Sequence, residues 1–280
     1  MAKSYTTVPK SSASNAPVYG NTSGGTSGGG ATAAAVSKAM RQPQTQATPA
    51  PTATSSVLSP TNQNNPLRNG FKSVDDVLKN SKQITDFLNS LPDSEIAKNK
   101  TAQGIIGKAM GYDAKPKLVN KLTPLKGDVV IYRGVDGNNL QGADETSTAV
   151  SRVQDFKTGA MFQGVGIFGD GSYFSTDRDT ALRYAQNISQ GVMKATLNIK
   201  KSKIIDYDNL KQLHNKLNNA SSINNEFKDL LRESKIKGKE MGEKAIGAVA
   251  TLLGYDAIRV NRGSEYYYVV LNRGALTVEK

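Results

Sequence analysis

An abrupt change of composition near residue 70 constrains this chain more than any other feature. Fifty-three of the first 66 residues are Ser, Thr, Gly, Ala, Pro, Asn or Gln, which leaves too little large apolar side chain to offset the entropy of ordering a backbone. A disordered, low-complexity basic tail is therefore expected over residues 1–70, and a single folded domain over 71–280. No acidic residue precedes Asp75, while Lys3, Lys10, Lys38, Arg41, Arg68 and Lys72 give residues 1–74 a charge of +6. The remainder carries 30 basic and 24 acidic side chains, another +6, out of a total of +12. Six charges spread over 74 residues make no compact stripe. The tail thus reads either as a solvated linker or as an address, for export, for packaging, or for loose attachment to nucleic acid or membrane.

The available chemistry is narrowed as sharply. With no cysteine, disulfides, thiolate metal ligands and cysteine nucleophiles are all excluded. A single histidine, His214, leaves little room for a zinc site or a histidine-based triad, so no metal is expected. No apolar run approaches the ~18 residues that cross a bilayer, and the N-terminus lacks the ~7-residue apolar core of a secretory signal. The expectation is a protein without a transmembrane segment that, if it leaves its cell, uses another route.

Within the body, Ser73 is a helix cap with Asp76 three residues on, and Val74, Val77, Leu78, Ile84, Leu88 and Leu91 follow at helical spacing up to Pro92. A second helix is predicted from Asp93 to Met110, closed by Gly111. Short β segments then alternate with helices. Strands are predicted at 129–133, 172–176, 192–199, 257–260 and 265–271, and helices at 144–156, 180–188, 209–218, 224–233 and 239–253. The period shifts too irregularly for repeats or a regular βαβ series, which makes the class α+β. Gly164, Gly166 and Gly169 satisfy the dinucleotide pattern G-x-G-x-x-G. That motif needs its last glycine to open a helix, whereas here the chain runs through Asp170 and Gly171 into the β-prone Ser-Tyr-Phe-Ser-Thr. A doubly wound nucleotide fold is set aside on that ground.

Three segments carry candidate chemistry. In Val-Val-Ile-Tyr-Arg-Gly-Val, 129–135, an apolar strand ends on Arg133 followed by Gly134. A charge so placed must find an anion, either a ligand or a structural partner. In 169–185, Tyr173 and Tyr184 flank ten residues, one on a strand and one on the helix capped by Asp177. They either sandwich a flat heteroaromatic ring or belong to the core. Ser175, on the face of Tyr173, bonds either a ligand or a neighbouring backbone. In 264–274, Glu265 opens an aromatic strand, Tyr-Tyr-Tyr-Val-Val. Its carboxylate either stabilises developing positive charge or is an exposed strand start.

Together these segments resemble the catalytic domain of mono-ADP-ribosyltransferases, over about residues 105–280. Arg133 in Tyr-Arg-Gly matches the first-strand arginine of the arginine-serine-glutamate toxins. Tyr173 to Tyr184 looks like the tyrosine pair of the diphtheria-like group, and Ser175-Thr176 like the toxin Ser-Thr, with Asp177 where a third Ser usually stands. Residues 109–116, Ala-Met-Gly-Tyr-Asp-Ala-Lys-Pro, look like domains attached to phage head proteins. The resemblance implies a split β core of two packed antiparallel sheets behind N-terminal helices. It implies NAD as substrate, with Arg133, Gly134, Tyr173, Ser175, Thr176 and Tyr184 contacting it and Glu265 facing the oxocarbenium-like sugar. A macromolecular acceptor, a host protein above all, would receive the ADP-ribose from a monomeric enzyme carried in a phage virion or delivered as a secreted effector. Residues 1–70 would meet the virion or secretion machinery. The family places its glutamate only a few residues before an Asn or Asp, whereas Glu265 lies seven ahead of Asn272. Either a bulge or loop carries Glu265 into place, or the essential carboxylate is missing and the chain is a non-enzymatic packaging protein on a decayed fold. Gly263, two residues before Glu265, lacks the side chain associated with arginine-directed transfer. An RNA 2′-phosphotransferase, which shares the fold, would need more basic residues than Arg133, Arg178 and Arg183.

Overall fold

The computed structural model describes residues 58–59, 62–68, 70–99, 101–112, 115–136, 144–159, 166–221, 223–233, 235–240 and 245–280. Most of the expected tail, and Gly164, lie outside them. The described part of residues 58–70 is not a tail, however. Leu58 and Leu67 are fully buried, and the Asn65 amide donates to the Ala109 carbonyl at 2.7 Å. Two leucines in a polar stretch suffice to dock it, because both join the buried apolar cluster under the helices.

Those helices are shorter than the periodicity suggests. Ser73 caps α1 (Val74–Lys79) as expected, its hydroxyl accepting from the Asp76 N–H. Asn80 then turns its amide back to the Asp76 carbonyl and separates α1 from α2 (Ser81–Ser90). The second stretch likewise divides into α3 (Asp93–Ala97) and α4 (Ala102–Ala109), because Thr101 starts a new helix by accepting from the Gly104 N–H at 3.0 Å. Gly111 follows with φ +87°, the left-handed exit its residue type allows.

The remaining elements are β1 (Lys117–Val119), β2 (Asp128–Gly134), α5 (Glu145–Thr158), β3 (Ser172–Ser175), α6 (Arg178–Tyr184), β4 (Val192–Asn198), β5 (Ile204–Asp206), α7 (Tyr207–Asn218) and α8 (Asn225–Glu233). A small hairpin, β6 (Lys235–Ile236) with β7 (Lys239–Glu240), is followed by α9 (Ile246–Leu252), β8 (Ala257–Asn261), β9 (Tyr266–Val270) and β10 (Leu276–Glu279). Of the helix expected over 239–253, residues 239–240 are strand β7 and 246–252 form α9, while 241–244 lie outside the described residues. The hairpin turns on Lys237 and Gly238, both with positive φ.

The α+β class holds, but the pair of antiparallel sheets does not. One mixed sheet runs β1-β10-β4-β2-β3-β9-β8-β5, with β1 and β5 parallel to their partners β10 and β8 and every other pair antiparallel. Three-residue edge strands carry no periodic signal, which is why the sequence hides them. The sheet is nonetheless nearly divided. β2 pairs with β4 from Asp128 to Gly134, whereas β2 meets β3 at one position, Tyr132 opposite Ser175. On one face Val260 and Val269 pack under the helices with Phe227, Leu210 and Ile105. On the other, Ile131, Phe174, Leu197 and Val270 gather around the buried Phe156 of α5.

Candidate active site

Alternation along the strands decides which side chains can meet. Ser175 stands opposite Tyr267 and Tyr173 opposite Val269, so these four share the helix-covered face. Glu265 precedes β9 by one residue and stands two before Tyr267, which turns it to that face as well. It lies at the end of the β8–β9 hairpin, where its carbonyl accepts from the Arg262 N–H and Gly263 turns with φ +81°. Thr176 fixes the same strand end by exchanging bonds with Tyr266. The Tyr266 N–H donates to the Thr176 hydroxyl and the Thr176 N–H to the Tyr266 carbonyl, both at 3.0 Å.

The consequence is a carboxylate held from both sides. The Ser175 hydroxyl, 4 % exposed with its residue, donates to Oε2 of Glu265 and accepts from the Asp177 N–H at 2.8 Å. Oε1 of Glu265 lies 3.1 Å from the buried Thr180 hydroxyl, which also reaches Asp177 and accepts from Arg183 at 2.6 Å. Asp177 caps α6 through the N–H groups of Asp179 and Thr180. The Thr180 hydroxyl, then the Asp179 N–H, hold the Asp177 carboxyl below the usual range.

Beside the carboxylate lie aromatic rings. Tyr184 is 61 % exposed and lies near the half-buried Tyr267, whose pKa is pushed up to about 12, by burial first and then by Tyr184 and Glu265. Arg262 lies 5.8 Å from the Tyr267 ring centre and 5.7 Å from that of Phe168, which meets Tyr267 edge-on. Tyr173 is engaged elsewhere. Its hydroxyl donates to the Gly169 carbonyl at 2.7 Å and accepts from the Phe168 N–H, and burial raises its pKa. A Cβ on Gly166 would lie 2.5 Å from Cζ of that ring, so one side of Tyr173 is already covered.

No protein-family model, curated protein or solved structure matches this chain.

The residues singled out from the sequence therefore fall into two groups. Glu265, Ser175 and Tyr184 lie on one side of the sheet, with Tyr173 packed just beneath, while Thr176 is bonded to the Tyr266 backbone at the strand end. Arg133 is on the other side. It follows Ile131 by two and precedes Val135 by two, and its guanidinium lies 5.5 Å from the Phe156 ring centre. It donates to the Tyr173 carbonyl at 3.1 Å, while its buried Nε has no hydrogen-bond partner. Burial, and then the neighbouring charge of Arg273, lowers its pKa to about 10. Gly134 packs against α6. A Cβ there would stand 1.9 Å from the Ala181 carbonyl oxygen, so the missing side chain is what lets α6 lie on β2.

Thr180 and Tyr267 were not singled out as site residues, although two signals pointed to them. Thr180 is three residues past a capping Asp, and Tyr267 shares the parity of Glu265 on its strand. Among the described residues no group of His, Asp or Glu is placed to hold a metal ion. Two surface cavities, one of about 330 Å³ lined by Leu88, Glu226 and Lys237 and one of about 260 Å³ lined by Asp206, Arg259 and Tyr268, lie apart from the carboxylate network.

Proposed function

We propose that the chain cleaves NAD at the nicotinamide–ribose bond and passes the ADP-ribose to a macromolecular acceptor. The observation that carries this reading is the meeting of Ser175, Thr180 and Glu265, separated by up to 90 residues of chain, at the mouth of an aromatic surface. The reaction breaks the bond between C1′ and the pyridinium nitrogen. Both electrons leave with neutral nicotinamide, and the sugar passes through an oxocarbenium-like state. Water or an acceptor nucleophile then bonds to C1′ and loses a proton. The barrier is electrostatic and positional, and it needs a carboxylate whose orientation is settled before the substrate arrives.

Oε2 of Glu265 accepts the Ser175 hydroxyl, Oε1 shares the single Thr180 proton with Asp177, and both keep lone pairs free for a ribose 2′-hydroxyl. Tyr184 and Tyr267 offer ring faces to a pyridinium, an attraction of about 0.5–2 kcal/mol. Tyr173 supports the strand and Arg133 braces the β2–β3 crossing through the Tyr173 carbonyl; neither is needed as a ligand. Glu265→Gln is expected to lower nicotinamide release by about a hundredfold or more while NAD affinity stays within a few fold. Equal turnover of the two proteins overturns the assignment.

The burial of Arg133 away from the carboxylate favours a second reading, a packaging protein that retains the scaffold without turnover. Nicotinamide release at saturating NAD with no acceptor separates the two. Labelled NAD in a host lysate then identifies the acceptor.

A further inference from the structure

The site above leaves one sequence feature unused, the lysines that follow β4. They stand on one of two neighbouring turns at the same end of the sheet. In the first, the Asp128 N–H donates to the Leu125 carbonyl at 2.9 Å; in the second, the Ser202 N–H donates to the Asn198 carbonyl at 2.8 Å. The turns are fastened together. The Ile199 N–H donates to the Gly127 carbonyl, the Lys200 side chain lies over Gly127, and the Asn198 amide donates to Asp128 at 2.7 Å.

What the two turns display is unusual for a solvated loop. Leu125 is 67 % exposed and Ile199 44 % exposed, one on each of the two joined turns, with the exposed Lys126 on the first and Lys200 and Lys201 on the second. None of these lysines has an ion-pair partner among the described residues. The turns' own carboxylate, Asp128, is turned inward to accept from the Leu125 N–H and from Asn198.

We propose that these turns seat the protein on an anionic lipid surface, Leu125 and Ile199 entering the headgroup layer and the three lysines pairing with lipid charge. The composition selects that partner. Nucleic-acid surfaces draw on arginine forks and on aromatic platforms for bases, and residues 120–128 and 198–203 contain neither. Lysines around protruding aliphatic side chains supply instead the two terms of interfacial binding, buried apolar area and attraction to acidic headgroups. Among the described residues no helix is long and apolar enough to cross a membrane.

Flotation of the full chain with phosphatidylcholine vesicles, with and without phosphatidylserine, tests this. The protein is expected to float with the anionic vesicles and to be released by salt. Leu125→Ser with Ile199→Ser should weaken binding about tenfold. Lys126→Gln with Lys200→Gln and Lys201→Gln should weaken it at least as much. All five positions are exposed, and unchanged thermal unfolding verifies that the variants fold. Vesicle binding by wild type that both variants retain would assign the attraction to the basic N-terminal residues and overturn the proposal. So would an absence of flotation, or lysine-dependent retention of duplex DNA without flotation.

Discussion

Replacing Gly134 by alanine adds one methyl group at the place where the sheet and α6 come closest. The new Cβ would stand 1.9 Å from the Ala181 carbonyl oxygen, 2.8 Å from the Ala185 nitrogen and 2.9 Å from the Ala181 carbonyl carbon. All three are backbone atoms, so no rotamer change relieves the overlap. Helix α6 must lift by an ångström or more, or β2 must bend. Overpacking of this kind costs about 1–3 kcal/mol where side chains can yield, and a backbone clash belongs at the upper end or beyond. The loss of glycine entropy in the unfolded chain returns only about 0.4–1 kcal/mol. A net destabilisation of about 3 kcal/mol follows. For a body of this size that is a fall in Tm of roughly 6–12 °C, readable by thermal and urea unfolding. Gly238→Ala is the control. It has open space within 4 Å and a φ of +73°, so only backbone strain of about 1 kcal/mol applies. Because α6 carries Thr180 and Tyr184, Gly134→Ala should also loosen the Glu265 network and lower nicotinamide release in folded protein. A Gly134→Ala protein as stable as its Gly238→Ala counterpart would refute the reasoning.

Thr180→Val keeps volume but removes the hydroxyl shared by Glu265, Asp177 and Arg183; a stability loss of about 1–3 kcal/mol by urea unfolding and a lower kcat for nicotinamide release are expected. Tyr267→Phe and Tyr184→Phe should alter KM for NAD by a few fold with little loss of stability, whereas Tyr173→Phe, which deletes two loop hydrogen bonds, should instead lower Tm. The Arg259 guanidinium holds the Asp206 carboxyl below its ordinary value. Its stabilisation is complete above the ordinary carboxylate range and is lost as pH falls through the depressed value. The pair is part-exposed, so Arg259→Met should cost under about 1 kcal/mol at neutral pH, less in high salt, and nothing in acid. Thr101→Ala removes a buried cap and should cost about 1 kcal/mol, seen in the unfolding midpoint.

Much of the architecture could be read before any coordinates. Ser73 and Asp177 cap the helices that follow them, and the long apolar strands β2, β4 and β9 fall where their composition put them. What escaped was set by single side chains or by distant partners. Asn80 and Thr101 each divide a stretch whose apolar periodicity is unbroken, since a side chain bonding the backbone wins locally over a weak helix propensity. β1 and β5 exist only because β10 and β8 are there to receive them. At the site, Glu265 and Ser175 were legible as residue types, and their contact depends on a register that no local pattern encodes. Arg133 shows the opposite failure. Its motif suggested a ligand, while strand parity, readable from Ile131 and Val135 on either side, directed it into the apolar layer around Phe156.

The lone Tyr132–Ser175 pairing bears on how this polymer can be divided. Strands β1, β2, β4 and β10 lie to one side of that seam and β3, β5, β8 and β9 to the other. Followed along the chain, the path crosses between β2 and β3, again between β3 and β4, again between β4 and β5, and finally between β9 and β10. A proteolytic nick or a gene split anywhere between β3 and β9 therefore divides the strands of both wings between the two fragments. Fragments cut in that interval must fold together or not at all.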